Sequence, residues 1–131
     1  MGLYLSAKGF NGGISIGYVK FGLYRMALAH EYNQTFGEIY CKWYMAALGA
    51  DLYPSLIDED LLLWGKIGND NLDVFLTHSD CSGKMTVQEC IKTYKILKNI
   101  EFNNENFKYL HKRILLILEH CKRKRVVLWF Y

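Results

Sequence analysis

The segment His78–Glu89, with the sequence His-Ser-Asp-Cys-Ser-Gly-Lys-Met-Thr-Val-Gln-Glu, carries the densest group of chemically active side chains. Asp80, Ser82 and Glu89 stand at the third, fifth and twelfth places, which is the spacing of oxygen ligands in calcium loops. Gly83 stands at the sixth place, where such loops turn. The first place is a histidine, although calcium requires a hard oxygen donor there. We therefore predict a metal-free turn whose polar rim either binds a ligand or only caps the next helix.

Zinc binding and cysteine chemistry are the alternatives for the same segment. His78, Asp80, Cys81 and Cys90 are zinc-ligand types, but no Cys-x-x-Cys pair is present and Cys90 is predicted to face the core. A nucleophilic pair of Cys81 and His78 has no orienting group beyond Asp80. The sequence therefore predicts no catalytic residue, no metal ligand and no cofactor.

Aromatic and basic residues alternate along the predicted first helix. Tyr18 and Phe21 could stack on a base, and Lys20 and Arg25 could pair with phosphate. The same surface would also suit a protein interface. We predict that this helix and the loop face a shared cavity. The predicted ligand-binding residues are Tyr18, Lys20, Phe21, Arg25, His78, Ser79 and Asp80. The last three would contact polar edges of the ligand.

The glycines before this helix, Gly9-x-x-Gly12-Gly13, resemble a phosphate-binding turn, because backbone amides at a helix start bind anions. The Lys-Ser/Thr ending and the full glycine spacing are absent. A flexible turn is the favoured interpretation.

Length and composition indicate one globular domain, 1–131, that folds without disulfides. The net charge of +3 is too even a balance of 16 basic and 13 acidic residues to indicate nucleic acid or a membrane as partner. The sequence has no secretory signal pattern and no apolar run of membrane-spanning length, so we expect a cytoplasmic protein with reduced cysteines. Aromatic residues reach 15%, which predicts that some aromatic surface serves recognition.

Periodicity and turn signals predict an α+β fold, mainly helical with about four to five helices, in which a small sheet pairs the N- and C-terminal strands. On the first helix, the inward face is predicted at Val19, Leu23, Met26, Ala27 and His30. Thr86 and Asn103 or Asn104 are predicted helix caps. The predicted elements are a strand at 3–7, helices at about 15–32, 35–48, 72–77, 86–99 and 105–122, a loop with one helical turn at 50–70, and a strand at 126–131.

The chain resembles a family of small uncharacterised bacterial and phage proteins. In that family a Tyr-x-x-Phe-x-x-x-Arg helix precedes an EF-hand-like His-Ser-Asp-Cys-Asp-Gly loop, and the resemblance spans most of the chain. The matching residues here are Tyr18, Phe21, Arg25, His78, Ser79, Asp80, Cys81, Gly83, Glu89 and Cys90. Ser82 replaces the acid of the family pattern, and the family implies no settled activity.

These features favour a non-catalytic protein that sequesters an anionic nucleotide signal between the first helix and the loop. Compact phage proteins that act as anti-defence sponges have this size, and a phage-encoded chain would act in the host cell cytoplasm. The alternative is a protein-interaction module that inhibits a host factor or toxin through aromatic residues from Tyr40 to Tyr44. A metal-dependent enzyme ranks third. A short terminal strand with an open edge would also allow a homo-oligomer.

Overall fold

The computed structural model describes residues 2–49 and 56–131, which form six helices and one four-stranded antiparallel sheet. The protein is therefore α+β and mainly helical, as predicted. Its elements are β1 (Gly2–Ser6), β2 (Ile14–Gly17), α1 (Tyr18–Tyr32), α2 (Gln34–Ala47), α3 (Asp58–Ile67), α4 (Asp70–Leu76), β3 (Lys84–Met85), α5 (Val87–Leu97), α6 (Glu105–Lys124) and β4 (Leu128–Phe130).

The sheet has the strand order β2-β1-β4-β3, and its centre is the predicted pairing of the two end strands. Leu5 pairs with Phe130 and Ser6 with Trp129, in antiparallel register. The strands β2 and β3 were not predicted, and they lie at the two edges of the sheet. Because β4 is paired on both sides within one chain, the open edge expected to support a homo-oligomer is already occupied.

The first helix begins later than predicted because residues 14–17 form β2. Ile14 and Ile16 are buried and alternate with exposed neighbours, which is the pattern of a half-buried strand. Gly12 and Gly13 adopt positive φ angles of 78° and 52° in the turn before it. The glycine-rich segment is therefore the connection of a β-hairpin and does not present the amides of a helix start.

The inward face of α1 was predicted wrongly at Val19 and Leu23, whereas Met26 and Ala27 of the predicted face do pack against the core. Val19 is 78% exposed and Leu23 48% exposed, whereas Phe21, Tyr24 and Leu28 are buried in the core. Both sets of residues have helical spacing, so periodicity alone does not separate them. The face with two aromatic rings is the buried one because it removes more apolar area from water.

The helices α1 and α2 form a helical hairpin, and their backbones lie close together at Gly37. Asn33 separates them and caps α2, since its side-chain oxygen accepts a hydrogen bond from the Phe36 amide at 3.0 Å. A Cβ atom at position 37 would lie 2.6 Å from the Cα atom of His30 and 2.7 Å from its nitrogen. Because these are backbone atoms, a larger residue here must push the helices apart.

We expect Gly37→Ala to lower the free energy of unfolding by about 2 kcal/mol, within the usual cost of overpacking. Urea unfolding followed by circular dichroism measures the change. Gly65→Ala is the matched control, because Gly65 lies in α3 and a Cβ atom added there would meet no atom of the described residues within 4 Å. Alanine should therefore stabilise the helix by about 0.5–1 kcal/mol. Equal effects of both substitutions would contradict the close approach.

The predicted loop at 50–70 contains a helix instead, although its residues 50–55 lie outside the described residues. The Asp60 carboxylate accepts a hydrogen bond from the Ile57 amide at 3.1 Å and caps the start of α3. Trp64 packs edge-on against Phe36 at 5.1 Å between ring centroids and donates its Nε1–H to Asp73 at 2.8 Å. No residue of α3 is fully buried, and its partly buried contacts with the core are made by Trp64 and Ile67.

The last two helices agree with the predictions. Thr86 and Glu89 form the predicted capping box of α5, and Asn104 caps α6. Periodicity predicts six inward residues along α6: Phe107, Leu110, Ile114, Ile117, Leu118 and Cys121. All are buried except Phe107, which is half-buried. These signals act within one helical turn, which is why the local sequence is sufficient to identify them.

Candidate functional site

The helix α1, the end of α2 and the loop after α4 surround a shallow cavity of about 200 Å³, called the hollow below. Its chemically active lining residues are Arg25, Trp43, Tyr44, Thr77, His78, Ser79 and Asp80. The structure thus brings one residue of the predicted helix surface together with the predicted loop.

Arg25 connects α1 to this loop. It is only 4% exposed, and its Nη1 atom donates hydrogen bonds to the carbonyl oxygens of Leu76 at 2.9 Å and His78 at 2.7 Å. Carbonyl groups at a helix end lack partners within the helix, and a cation is favourable there. Its guanidinium carbon also lies 4.1 Å from the centroid of the Phe21 ring. Arg25 is therefore part of the fold as well as of the hollow.

The charge of Arg25 has no ion-pair partner among the described residues, where the ion pairs are Lys42–Asp60 and Arg123–Glu119. Its Nε atom is buried and makes no hydrogen bond. Burial lowers the pKa of Arg25, while Tyr40 and then Asp80 act in the opposite direction. A buried cation without a paired anion is unfavourable by several kcal/mol. An anion bound beside Arg25 would therefore be stabilising.

The imidazole of His78 closes the loop and does not point a free nitrogen at the hollow. Its ring stacks on Phe130 with 3.8 Å between centroids. Nδ1 lies 2.7 Å from the Ser79 carbonyl oxygen, and Nε2 lies 3.1 Å from that of Lys84. Because each ring nitrogen already faces a carbonyl oxygen, the predicted contact of His78 with a ligand edge has no free atom in this geometry.

The calcium-like spacing of the loop serves its own turn and the next helix. The Glu89 carboxylate accepts from the Thr86 amide at 2.8 Å, so the residue at the twelfth place caps α5. The Ser79 hydroxyl lies 3.3 Å from that of Ser82 and accepts from the Cys81 amide. Among residues 2–49 and 56–131, no three His, Cys, Asp or Glu side chains are grouped as metal ligands would be.

Three predicted ligand residues lie away from the hollow. Phe21 is 1% exposed and packs edge-on against Phe75, so its ring is not available for stacking on a ligand. Tyr18 is half-buried against the core. Lys20 lines a separate cavity of about 360 Å³ beside the β1–β2 turn, together with Arg113. These three residues are separated from the hollow because the side of α1 that is buried differs from the predicted one.

Two aromatic residues of the hollow belong to the segment Tyr40–Tyr44, which the sequence analysis predicted as a protein-interaction surface. Trp43 and Tyr44 are half-buried and form one wall, whereas Tyr40 is fully buried and donates its hydroxyl to the Leu76 carbonyl at 2.8 Å. A Cβ atom at Gly22 would overlap the Tyr44 hydroxyl, so the glycine allows this ring to lie close to α1. A glycine in α1 opposite an aromatic residue in α2 is the sequence signal for this contact.

No protein-family model, curated protein or solved structure matches this chain. No helix in the described part of the chain has both the length and the apolar character needed to cross a membrane. The chemistry of the hollow is the basis for the functional proposal that follows.

Proposed function

We propose that this protein is a non-catalytic binding protein that holds a small anionic ligand of the nucleotide class in the hollow. One observation carries the proposal: Arg25 is buried, lines the hollow and has no ion-pair partner among the described residues. Sequestration of a nucleotide signal, as in a phage anti-defence sponge, is the cellular role we propose for such binding.

An anion in the hollow would compensate the charge of Arg25. The two carbonyl partners both bind Nη1, and Nε has no hydrogen-bond partner among the described residues. Hydrogen bonds from a guanidinium to phosphate are charge-assisted and contribute about 1.5–3 kcal/mol each. A phosphoryl oxygen that reaches this group would therefore gain more than at an exposed, solvated side chain.

The size of the hollow limits what enters it. About 200 Å³ is below the range of roughly 300–1,000 Å³ that encloses a whole drug-sized ligand. A phosphoryl group or one ring fits, and the rest of the ligand would extend along the end of α2. Trp43 and Tyr44 offer ring faces there, on which a base can stack.

Asp80 adds a negatively charged carboxylate to the hollow, opposite in sign to the guanidinium of Arg25. A carboxylate only accepts hydrogen bonds, so it favours an amine or ring N–H of a base and repels phosphate. The Ser79 hydroxyl beside it both donates and accepts. The two charges would therefore orient a nucleotide, with the phosphate toward Arg25 and an amine-bearing edge toward Asp80.

The proposal is tested by isothermal titration calorimetry with inorganic phosphate, pyrophosphate, linear nucleoside monophosphates and cyclic nucleotides. We expect at least one nucleotide to bind more tightly than pyrophosphate does. Asp80→Asn and Tyr44→Leu should each weaken that binding about tenfold, equivalent to one lost interaction of about 1.4 kcal/mol. Lys20→Gln is the matched control, because it removes a cation that lies outside the hollow.

Chromatography of the nucleotides after incubation, with and without divalent metal ions, separates binding from cleavage. Unchanged nucleotides agree with a binding protein, and turnover would favour the metal-dependent enzyme. Absence of heat with every nucleotide would dismiss the proposal, and so would equal weakening by Lys20→Gln and the two hollow variants.

A protein-interaction module is the second candidate function, and the surface of α3 favours it. Ile57, Leu61 and Leu62 are 55%, 55% and 68% exposed, beside the acidic residues at the helix start. Exposed apolar groups of this kind mark interfaces when they are contiguous. A host protein that is retained by the wild type and lost by Leu62→Glu would support this candidate over nucleotide binding.

A further inference from the structure

The outer face of the sheet presents three aromatic rings to solvent. Along each strand, side chains alternate between the helix-covered face and the open face. Leu128 and Phe130 of β4 are buried against the helices, as are Leu3 and Leu5 of β1. Tyr4, Trp129 and Tyr131 alternate with these residues and are 40%, 39% and 58% exposed. We call these three residues the aromatic face.

Strand register brings the three rings together. Tyr4 and Tyr131 exchange backbone hydrogen bonds of 3.1 and 3.0 Å, and their ring centroids lie 6.5 Å apart. Trp129 is two residues before Tyr131 on the same face, and the centroids of these rings lie 6.3 Å apart with an interplanar angle of 24°. The aromatic face is therefore one continuous surface, built on hydrogen-bonded backbone.

The charge around the aromatic face is positive. Lys84 pairs with Trp129 across the sheet, and its Nζ atom lies 5.4 Å from a Trp129 ring centroid. None of the four described strands contains an acidic residue. Exposed rings beside lysines are complementary to a polymer that carries planar bases on an anionic backbone.

We propose that the aromatic face binds single-stranded nucleic acid by stacking bases on Trp129, Tyr131 and Tyr4. Overall charge gave no reason to expect this partner, but stacking depends on local ring exposure and requires few cations. Duplexes hide the faces of their bases, so the surface selects unpaired strands. The aromatic face is distinct from the hollow. His78, which lines the hollow, stacks on Phe130 on the helix-covered side of the sheet, whereas the aromatic face lies on the opposite side.

The test is fluorescence anisotropy with labelled oligo(U) and oligo(dT) of about 12 nucleotides, a length within known single-strand site sizes. At about 50 mM salt, where phosphate contacts are weakly screened, we expect binding of both oligonucleotides and weaker binding of a duplex of equal length. Trp129→Leu and Tyr131→Leu keep apolar side chains but remove the rings. Each should weaken binding by about 5- to 150-fold, the usual effect of losing one stacked base.

Three further variants sharpen the comparison. Trp129→Phe keeps a ring and should retain most of the binding. Lys84→Gln should reduce the slope of log affinity against log salt by about one, the effect of losing one phosphate contact. Tyr109→Leu is the matched control, because Tyr109 is 64% exposed on α6 and does not belong to the aromatic face.

Circular dichroism spectra and thermal unfolding establish that each variant is folded before binding is measured. No binding by the folded wild type would overturn the proposal. So would binding that Trp129→Leu and Tyr131→Leu leave unchanged. Sedimentation that shows a dimer lost in the same two variants, without binding of either oligonucleotide, would assign the aromatic face to a second copy of the chain. None of these results depends on whether a nucleotide occupies the hollow.

Discussion

Arg25→Ala is expected to lower the free energy of unfolding by about 3 kcal/mol, which corresponds to a fall in Tm of about 10 °C for a chain of this size. The substitution leaves the His78 carbonyl without the hydrogen bond that Arg25 donates. The Leu76 carbonyl loses one of two donors, since the Tyr40 hydroxyl remains. Removal of the guanidinium also takes away its packing on the Phe21 ring. Chemical denaturation at neutral pH measures the change.

Two further variants separate the causes of this loss. Arg25→Met keeps much of the packing on Phe21 but no hydrogen bond, so it should recover less than half of the stability. Lys20→Ala on the same helix removes an exposed cation and should change stability by less than about 0.5 kcal/mol. An equal effect of Arg25→Ala and Lys20→Ala would show that Arg25 does not connect α1 to the loop.

His111→Leu is expected to lower the free energy of unfolding by about 3 kcal/mol at about pH 7.5, because it leaves two buried polar groups unpaired. The Nε2 atom of His111 faces the carbonyl oxygens of Leu97 at 3.1 Å and Ile100 at 2.9 Å, so it carries the proton and donates to them. Nδ1 therefore accepts from the Tyr24 hydroxyl at 2.8 Å. Without His111, the Tyr24 hydroxyl and the Ile100 carbonyl lose their partner inside the core.

The pH dependence of stability identifies the same histidine. Burial lowers the pKa of His111, while its hydrogen bonds to Ile100 and Leu97 act in the opposite direction. The unfolded chain, with a histidine pKa of about 6.5, therefore binds more protons than the folded chain below that pH. The contribution of His111 is fully present above about pH 6.5 and is lost as pH falls toward its lower folded pKa, at up to about 1.4 kcal/mol per pH unit.

Denaturation series between about pH 7.5 and pH 5 compare the wild type with His111→Leu, which cannot titrate at this position. The wild type should lose stability more steeply over this range than the variant. Burial also raises the pKa of Tyr24, which keeps its hydroxyl protonated as the donor throughout. Parallel curves for the two proteins would show that His111 does not carry the acid sensitivity.

Local signals identified much of the fold correctly. The Thr86–Glu89 capping box and the Asn104 cap occupy their predicted positions, and Gly49 has the positive φ angle of 74° that a helix end requires. The apolar stripe of α6 is buried as expected. Each of these features depends on residues within about one turn of helix, so a neighbouring segment rarely overrides it.

The strands β2 and β3 and the helix α3 escaped detection because their stability comes from distant partners. β3 has two residues and exists through its pairing with β4, about 44 positions later in the chain. In α3 the Trp64 ring packs on Phe36 of α2 and donates a hydrogen bond to Asp73 of α4, and no residue of that helix is fully buried. Short elements of this kind have too little sequence of their own to produce a periodic pattern.

For the candidate site, four of the predicted residues line one cavity, namely Arg25, His78, Ser79 and Asp80, while their binding of a ligand stays a prediction. Phe21 was expected at a ligand and lies in the core, while the ring faces of the hollow come from Trp43 and Tyr44. The aromatic face was likewise only partly evident from the sequence. The alternation of side chains along β1 and β4 could be read from it, but only the strand register places Tyr4 beside Tyr131.

The sequence by itself determined the α+β composition, the helix caps and the apolar stripe of α6, because these follow from backbone chemistry and periodicity over a few residues. It also predicted the pairing of the end strands, because a lone strand is not stable without a partner. Only the tertiary structure decided which side of α1 is buried. Two apolar faces of that helix compete, and contacts of Phe21 and Tyr24 with the distant Phe75 select one of them. That selection places Arg25 under the loop after α4, where it has no ion-pair partner among the described residues.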